Sequence, residues 1–179
     1  MDTSALSKLF PAFLAIEDPE LRRLSMDAMA MAMEKGGWTM ENIGQCPVTL
    51  NWKDCDVSWV EHVTDVTALC LMEFNALEKY YKRHGVPFSR DVVVAGALLH
   101  DIGKLTEFVF KDGDDFQLLR HPLSGAIIAA QAGLPANLVH LIATHSFEGD
   151  KSYQTAESKF VRTIDIFVFQ NSVEGLEKL

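Results

Sequence analysis

The segment AGALLHDIGKLTEF, residues 95–108, places three ionisable side chains at the end of an apolar run. His100 and Asp101 are adjacent, and Lys104 follows about one helical turn later. A neutral imidazole and an ionised carboxylate suit divalent metals such as Mn, Fe, Co, Ni or Zn. Burying such an acid with neither a metal nor a partner would cost considerable free energy. The segment therefore predicts a metal site with a cation beside it.

Further candidate ligands occupy positions from which a helix could aim a side chain into a shared interior. They are His62 within a long helical pattern, His121 at a helix start, His145 at a helix end and Asp165 inside the last helix. Neighbours on a helix diverge by about 100°, yet near a helix end His100 and Asp101 can still flank one metal. Because a carboxylate has two oxygens, Asp101 could also bridge two metals.

Helix start and stop signals indicate which elements carry these residues. The predicted helices are one after Asp18 that stops at Gly36–Gly37, one over 57–84, one from Ser89 through Asp101, one from His121 to Gly133, one over 135–145, and one from Thr155 onward. Residues 36–56 form a poorly periodic connection that could hold a short helical turn or a brief strand. Residues 164–169 are β-branched and aromatic, which leaves a strand possible there.

The pattern predicts an all-α protein, and 179 residues are enough for one domain with a sizeable core. We expect a single domain over residues 1–179. Residues 1–50 would form a helical N-terminal accessory layer, and residues 51–179 the metal-binding core.

Charge and cysteine content narrow the function classes. The formal net charge of −9 disfavours binding to extended nucleic acid or anionic membranes, which depends on clustered Lys and Arg. Cys46, Cys55 and Cys70 form no CxxC pair, so we expect reduced thiols in a cytoplasmic protein. The sequence contains no apolar stretch of about 18 residues, and no membrane span is expected.

The order of ligands, His62, then His100-Asp101, then Asp165, resembles the HD-domain superfamily of metal-dependent phosphohydrolases, and HDIGK is one common form of its central motif. The resemblance covers roughly Val57 to Phe169. It implies an all-α bundle in which His62, His100, Asp101 and Asp165 hold one metal. Asp101 would bridge to a second metal completed by His121 and His145, as in members that hold two.

The resemblance also implies an activity: hydrolysis of phosphomonoesters or phosphodiesters in a small phosphorylated or nucleotide substrate. Asp101 and Lys104 are the expected catalytic residues, with Lys104 directed at substrate phosphate. One or two divalent transition metals are expected per chain, with Fe, Mn, Co or Ni ahead of Zn or Mg. The segment after His145 lacks the Gly-Tyr-Pro signature of members that cleave cyclic di-GMP, which disfavours that substrate.

Several alternatives stay open at the level of sequence. His140 competes with His145 as a ligand, and Glu148 or Asp150 could assist proton transfer. The same ligand set would permit a diiron HD-type oxygenase. A third hypothesis is that the protein is a non-catalytic metal-binding module with a signalling or regulatory role. The oligomeric state is not indicated.

Overall fold

The computed structural model describes residues 3–49, 55–109 and 118–174. The eight α-helices of these segments are α1 (Thr3–Leu9), α2 (Pro19–Gly36), α3 (Trp59–Arg83), α4 (Arg90–Leu99), α5 (Lys104–Glu107), α6 (His121–Gln131), α7 (Ala136–Thr144) and α8 (Ala156–Phe169). Short 3-10 turns cover Pro11–Ala15, Ile43–Gln45 and Phe147–Gly149, and a π-helical turn covers Gln170–Glu174. The predicted all-α class is confirmed.

Capping interactions are present at the helix ends; those at Asp18 and Gly37 were predicted, and the one at Ser58 was not. The Asp18 carboxylate accepts hydrogen bonds from two backbone N–H groups in the first turn of α2, and Gly37 ends that helix at φ 73°. A left-handed conformation of this kind costs glycine little. Ser58 caps α3 in a capping box with Glu61, and Thr155 forms the equivalent box with Ser158 at α8. These local bonds satisfy backbone donors that a helix start leaves unpaired.

Helices α3, α4 and α8 pack against one another, and α4 and α8 also contact α7. Helix α6 pairs with α7, while α2 lies against α4, α5 and α6. All eight residues from Val92 to Leu99 are buried, so α4 is the central helix. Side chains of α1 and α2, including Leu6 and Met29, belong to the same apolar cluster as those of α3 and α4.

Two predicted elements differ in detail from the structure. Helix α4 ends at Leu99 rather than continuing through Asp101. His100 is its C-cap, and the chain then turns through i to i+3 hydrogen bonds, such as Lys104 N–H to the Asp101 carbonyl, before entering α5. Residues 164–169, in contrast, are helical. Their outer positions are exposed while Ile164 and Val168 are buried, so helical spacing outweighs β propensity.

The connection after α2 contains a short helical turn and one antiparallel bridge between Pro47 and Ser58. Residues 50–54 of it lie outside the described segments. The thiols of Cys46, Cys55 and Cys70 are free. Burial raises the pKa of the Cys46 thiol to about 12, so that thiol stays protonated at neutral pH. Within the described segments, no helix is both long and apolar enough to span a bilayer.

Two buried tryptophans fix the turn between α4 and α5. The Trp59 indole N–H donates to the backbone carbonyl of Asp101 at 3.1 Å, and the Trp38 indole N–H donates to that of Leu105 at 2.8 Å. Both carbonyls are thereby satisfied in an interior where an unpaired acceptor would be costly. The turn that carries the HDIGK segment is therefore anchored from α3 and from the loop after α2.

A close backbone contact explains why the HDIGK segment has a glycine at position 103. A Cβ at this position would lie 2.0 Å from the His121 carbonyl oxygen and 2.7 Å from the Gly125 backbone nitrogen. The φ of Gly103 is −65°, which any residue can adopt, so the requirement is for space and not for backbone freedom. This close contact sets the distance between the turn that bears Asp101 and the helix that begins with His121.

We expect Gly103→Ala to destabilise the fold by about 1–3 kcal/mol, the usual cost of overpacking a core contact. That corresponds to a fall in melting temperature of roughly 2–12 °C for a chain of this size. Gly44→Ala is the matched control, because nothing lies within 4 Å of a Cβ at Gly44. Thermal denaturation of both variants checks this, and equal melting temperatures would show that the close contact is not needed.

Candidate metal centre

Five elements bring the six predicted ligands into one interior site. His62 lies on α3, His100 and His145 are the C-caps of α4 and α7, Asp101 follows α4, His121 opens α6, and Asp165 lies on α8. The four histidines and Asp101 are buried, and the Asp165 side chain is 14% exposed. Helix ends are suited to this arrangement because the terminal side chains can converge where the backbone cylinders separate.

The first group of donor atoms surrounds Asp101 Oδ2. His62 Nε2 and His100 Nε2 are 3.3 Å apart, and each lies 3.5 Å from Asp101 Oδ2. Asp165 Oδ1 lies 3.0 Å from His62 Nε2 and 3.6 Å from His100 Nε2. Donors held about 2.1 Å from one ion lie roughly 3.0–3.5 Å from one another. The spacing of this group therefore fits a single metal ion.

The second group surrounds the other oxygen of the same carboxylate. Asp101 Oδ1 lies 3.4 Å from His121 Nε2 and 3.2 Å from His145 Nε2. Each group meets the spacing expected of ligands to one ion, and the two groups share only Asp101. Such a carboxylate can bridge two metals, one on each oxygen.

Hydrogen bonds at the remote ring nitrogens orient three of the histidines. The Nδ1 atoms of His100 and His145 lie 2.8 and 2.7 Å from the carbonyl oxygens of Ala97 and Ile142. Since a carbonyl only accepts, these Nδ1 atoms carry the protons and the Nε2 lone pairs point into the site. Ligating histidines usually have this type of support.

His121 is oriented by a carboxylate, Glu107. Its Nδ1 lies 3.1 Å from Glu107 Oε2, and its backbone N–H donates to the same oxygen at 3.0 Å. Burial alone would raise the pKa of Glu107, but the hydrogen bond from His121 holds the pKa below its usual value. Glu107 thus stays ionised and fixes the ring with Nε2 facing Asp101.

The charge of Asp101 is offset inside the protein. Burial would raise the pKa of Asp101, yet the ammonium of Lys104 holds it well below its usual value, with His100 contributing. Lys104 Nζ lies 2.7 Å from Asp101 Oδ2 and its side chain is 10% exposed. A metal ion that binds this oxygen would therefore compete with the Lys104 ammonium for it.

Burial lowers the pKa of both His62 and His121, which favours the neutral rings that can ligate a metal. Burial opposes protonation of His100 as well, but Asp101 and Asp165 outweigh it and raise the pKa of His100. A metal ion held by the first group would supply positive charge near both carboxylates without protonation of His100 Nε2.

The other residues considered from sequence lie elsewhere. His140 belongs to neither donor group among the described residues. Glu148 accepts from Arg120 Nε at 3.1 Å, and Asp150 pairs closely with Arg162. These two acids are thus ion-pair partners of arginines, and their suggested part in proton transfer stays a prediction.

An open cleft of about 510 Å³ lies over the two groups. Its polar lining includes Asp101, His121, His145 and Asp165, and its cations are Lys104, Arg120 and Arg162. The apolar walls come from residues such as Phe108, Phe147 and Phe169. Neither these arginines nor Glu107 were predicted from the sequence. Their closeness to candidate ligands could have indicated them: Arg120 directly precedes His121, Arg162 lies one turn before Asp165, and Glu107 ends the HDIGKLTE segment.

If both donor groups bind metal, protein saturated with Mn²⁺ should hold two ions per chain. His145→Ala should hold one, because only the second group is damaged, and Asp101→Ala should lose affinity for both. His140→Ala is the matched control and should match the parent. Metal analysis of dialysed protein, with circular dichroism to confirm folding, tests this. One ion in the parent and none in His145→Ala would contradict the assignment.

Removing the support of His121 should weaken only the second group. Glu107→Gln should lower affinity for the second ion by about 10- to 100-fold, the usual effect of altering the partner of a ligating histidine, because a neutral amide oxygen is a weaker acceptor than a carboxylate. Glu148→Gln keeps the His121 contact while weakening the other ion pair of Arg120, so it serves as the control. Competition with a metal chelator measures both affinities, and equal effects of the two variants would argue against a positioning role for Glu107.

Comparison with known proteins agrees with this geometry. A family model described as the HD domain matches residues 59–168, which contain all six candidate ligands. A curated protein from Methanocaldococcus jannaschii, dihydroneopterin 2′,3′-cyclic phosphate phosphodiesterase, is 29% identical over 117 residues, or 62% of this chain and 45% of that protein. The chain thus matches less than half the length of that relative, and no solved structure matches it. With the family model covering more than half of its length, the chain belongs to the HD domain family.

Proposed function

We propose that the protein is a metal-dependent phosphohydrolase that cleaves a phosphomonoester or phosphodiester in a small phosphorylated or nucleotide substrate. The observation that carries the proposal is the joining of two donor groups through Asp101 beneath a cleft with three cationic side chains. Membership of the HD domain family and the phosphodiesterase named in M. jannaschii support it.

The donor set suits the divalent metals that such chemistry uses. His62, His100, Asp101 and Asp165 would hold one ion, and Asp101, His121 and His145 a second. Imidazole with carboxylate favours Fe, Mn, Co or Ni over Mg, which prefers oxygen ligands. When bound, a divalent ion polarises a phosphoryl oxygen and lowers the pKa of coordinated water to near 7.

The cationic side chains would bind the anionic part of the substrate. Lys104 contacts the Asp101 carboxylate and lines the cleft, as do Arg120 and Arg162. The cleft lining also contains the acids Asp101, Glu107 and Asp165, so bound divalent metal would supply the net positive charge that attracts an anion. Local charges dominate within a Debye length of about 8–10 Å, even though the chain carries a formal charge of −9. Binding at Lys104 would place phosphate next to the metal ligands, and its ammonium would stabilise charge that develops on phosphoryl oxygens.

A panel of substrates tests the proposal directly. Protein loaded separately with Mn²⁺, Fe²⁺, Co²⁺ or Ni²⁺ should release phosphate, or open a cyclic phosphodiester, from at least one of several mononucleotides, cyclic nucleotides and aliphatic phosphate esters. Asp101→Ala should abolish the release. Oxygen uptake by the iron form on an organic substrate, without any ester cleavage, would overturn hydrolysis in favour of oxygenase chemistry. Metal binding without turnover of either kind would indicate a regulatory module.

Replacing Lys104 should reduce catalysis without reducing metal binding. Lys104→Met keeps the apolar stem but removes the ammonium, and turnover should fall by about 10- to 1000-fold. Metal content should be retained, because the competing cation at Asp101 Oδ2 is gone. The metal-free variant should melt below the metal-free parent, since Asp101 loses its buried counter-ion. Metal analysis, calorimetry and steady-state kinetics together check this, and unchanged turnover would remove Lys104 from the mechanism.

A further inference from the structure

An exposed aromatic ring lies at the edge of the cleft. Phe147 is 65% exposed and lines the cleft two residues beyond His145, a candidate ligand of the second metal. Two residues of extended chain span about 7 Å at most, so the ring is close to the metal site. Exposing a phenylalanine ring to water forgoes the hydrophobic stabilisation that burial would bring. A ring in this position is therefore available to a ligand.

The backbone that carries Phe147 is fixed against α7. Residues Phe147–Gly149 form a 3-10 turn, and a Cβ at Gly149 would lie 2.2 Å from the Thr144 carbonyl oxygen. The Gln154 side-chain amide donates to the carbonyls of both Thr144 and Gly149. The turn is therefore pressed onto the end of α7, and the position of Phe147 relative to His145 is set by packing.

Arg120 supports the ring from one side. Its guanidinium carbon lies over the Phe147 ring, 5.8 Å from the centroid. Glu107 accepts from Nη1 and Glu148 accepts from Nε, so two carboxylates hold the guanidinium in this orientation. A guanidinium in this position is attracted to the ring face, and the separation is too small for another ring to enter between them.

We propose that Phe147, backed by Arg120, is a stacking surface for the planar heteroaromatic ring of the substrate. This inference rests on the proposed hydrolase function and names its substrate class: a phosphate ester joined to a base-like ring. The phosphate would bind at the metal ligands and Lys104, while the ring stacks on the free face of Phe147. Phe147 is thus a specificity-determining residue that aliphatic phosphate esters do not use.

Binding measurements separate the ring from the phosphate. Titration calorimetry with metal-loaded protein compares adenosine 5′-monophosphate with glycerol phosphate, which has no ring. Phe147→Leu should weaken nucleotide binding by about 5- to 100-fold, the range for loss of base stacking. The same substitution should change the affinity for glycerol phosphate by less than about 2-fold. Phe147→Tyr should restore nucleotide affinity because it keeps the π face.

Phe167→Leu is the matched control. Phe167 is a similarly exposed phenylalanine, at 58%, but it does not line the cleft. Its replacement should leave both ligands unaffected. The proposal would be overturned if Phe147→Leu lowered the affinity for both ligands equally, or if it left the affinity for the nucleotide unchanged. A change of oligomeric state in Phe147→Leu without any change in nucleotide affinity would also overturn it, since the ring would then be covered by another copy of the chain.

Kinetics distinguish failure of this inference from failure of the proposed function. Cyclic phosphodiesters of adenosine and of glycerol present the same reacting group with and without a ring. Cleavage of both with no effect of Phe147→Leu on their relative kcat/KM would retain the hydrolase and reject the stacking surface. If neither these diesters nor any phosphomonoester of the substrate panel is cleaved, but nucleotide binding still depends on Phe147 as predicted, the stacking surface stands and the hydrolase function fails.

Discussion

The buried carboxylate of Asp101 is the constraint on which the site depends. One oxygen faces His62 and His100, and the other faces His121 and His145. An ionised carboxylate in an apolar interior is stable only when surrounding groups offset its lost hydration. Four imidazoles, each from a different helix or helix end, and the ammonium of Lys104 provide that environment. The helices are therefore arranged around one charge as well as around an apolar core.

The packing that holds Asp101 is as specific as its polar contacts. Trp59 and Trp38 bond the carbonyls at the two ends of the turn, and Gly103 lets α6 approach its backbone. Close-packed interiors transmit a displacement from one element to the next. A shift of this turn relative to α6 would move Asp101 away from His121, so stability and metal affinity are linked through the same contacts.

The distribution of charge explains how an acidic chain can offer a site for an anion. Each of its three cleft cations lies within three residues of a candidate ligand in the sequence, and each is held by a carboxylate. Holding these side chains in place lowers the conformational entropy that a ligand must remove on binding. Metal ions would add further positive charge beneath them. The cleft therefore combines ordered cations with the exposed ring of Phe147, which together favour a ligand with both a charged and a planar part.

The sequence by itself predicted six of the eight described helices, some of their caps and the identities of the candidate ligands, whereas α1 and α5 were not predicted. Asp18 and Thr155 act on backbone groups two or three residues away, so short patterns are sufficient to predict where their helices begin. The six candidate ligands could be selected because histidines and acids at inward-facing positions have few alternative partners. HDIGK in addition marked a known family, which the matching of residues 59–168 confirmed.

Only the tertiary structure decided which oxygen of Asp101 faces which histidines, that α4 ends before this residue, and that Glu107 supports His121. Arg120 and Phe147 likewise meet across 27 positions of sequence, and no periodic pattern encodes that contact. Such pairings depend on the relative placement of whole helices. That placement follows from the summed packing of many side chains, and the type of any one residue carries little information about it.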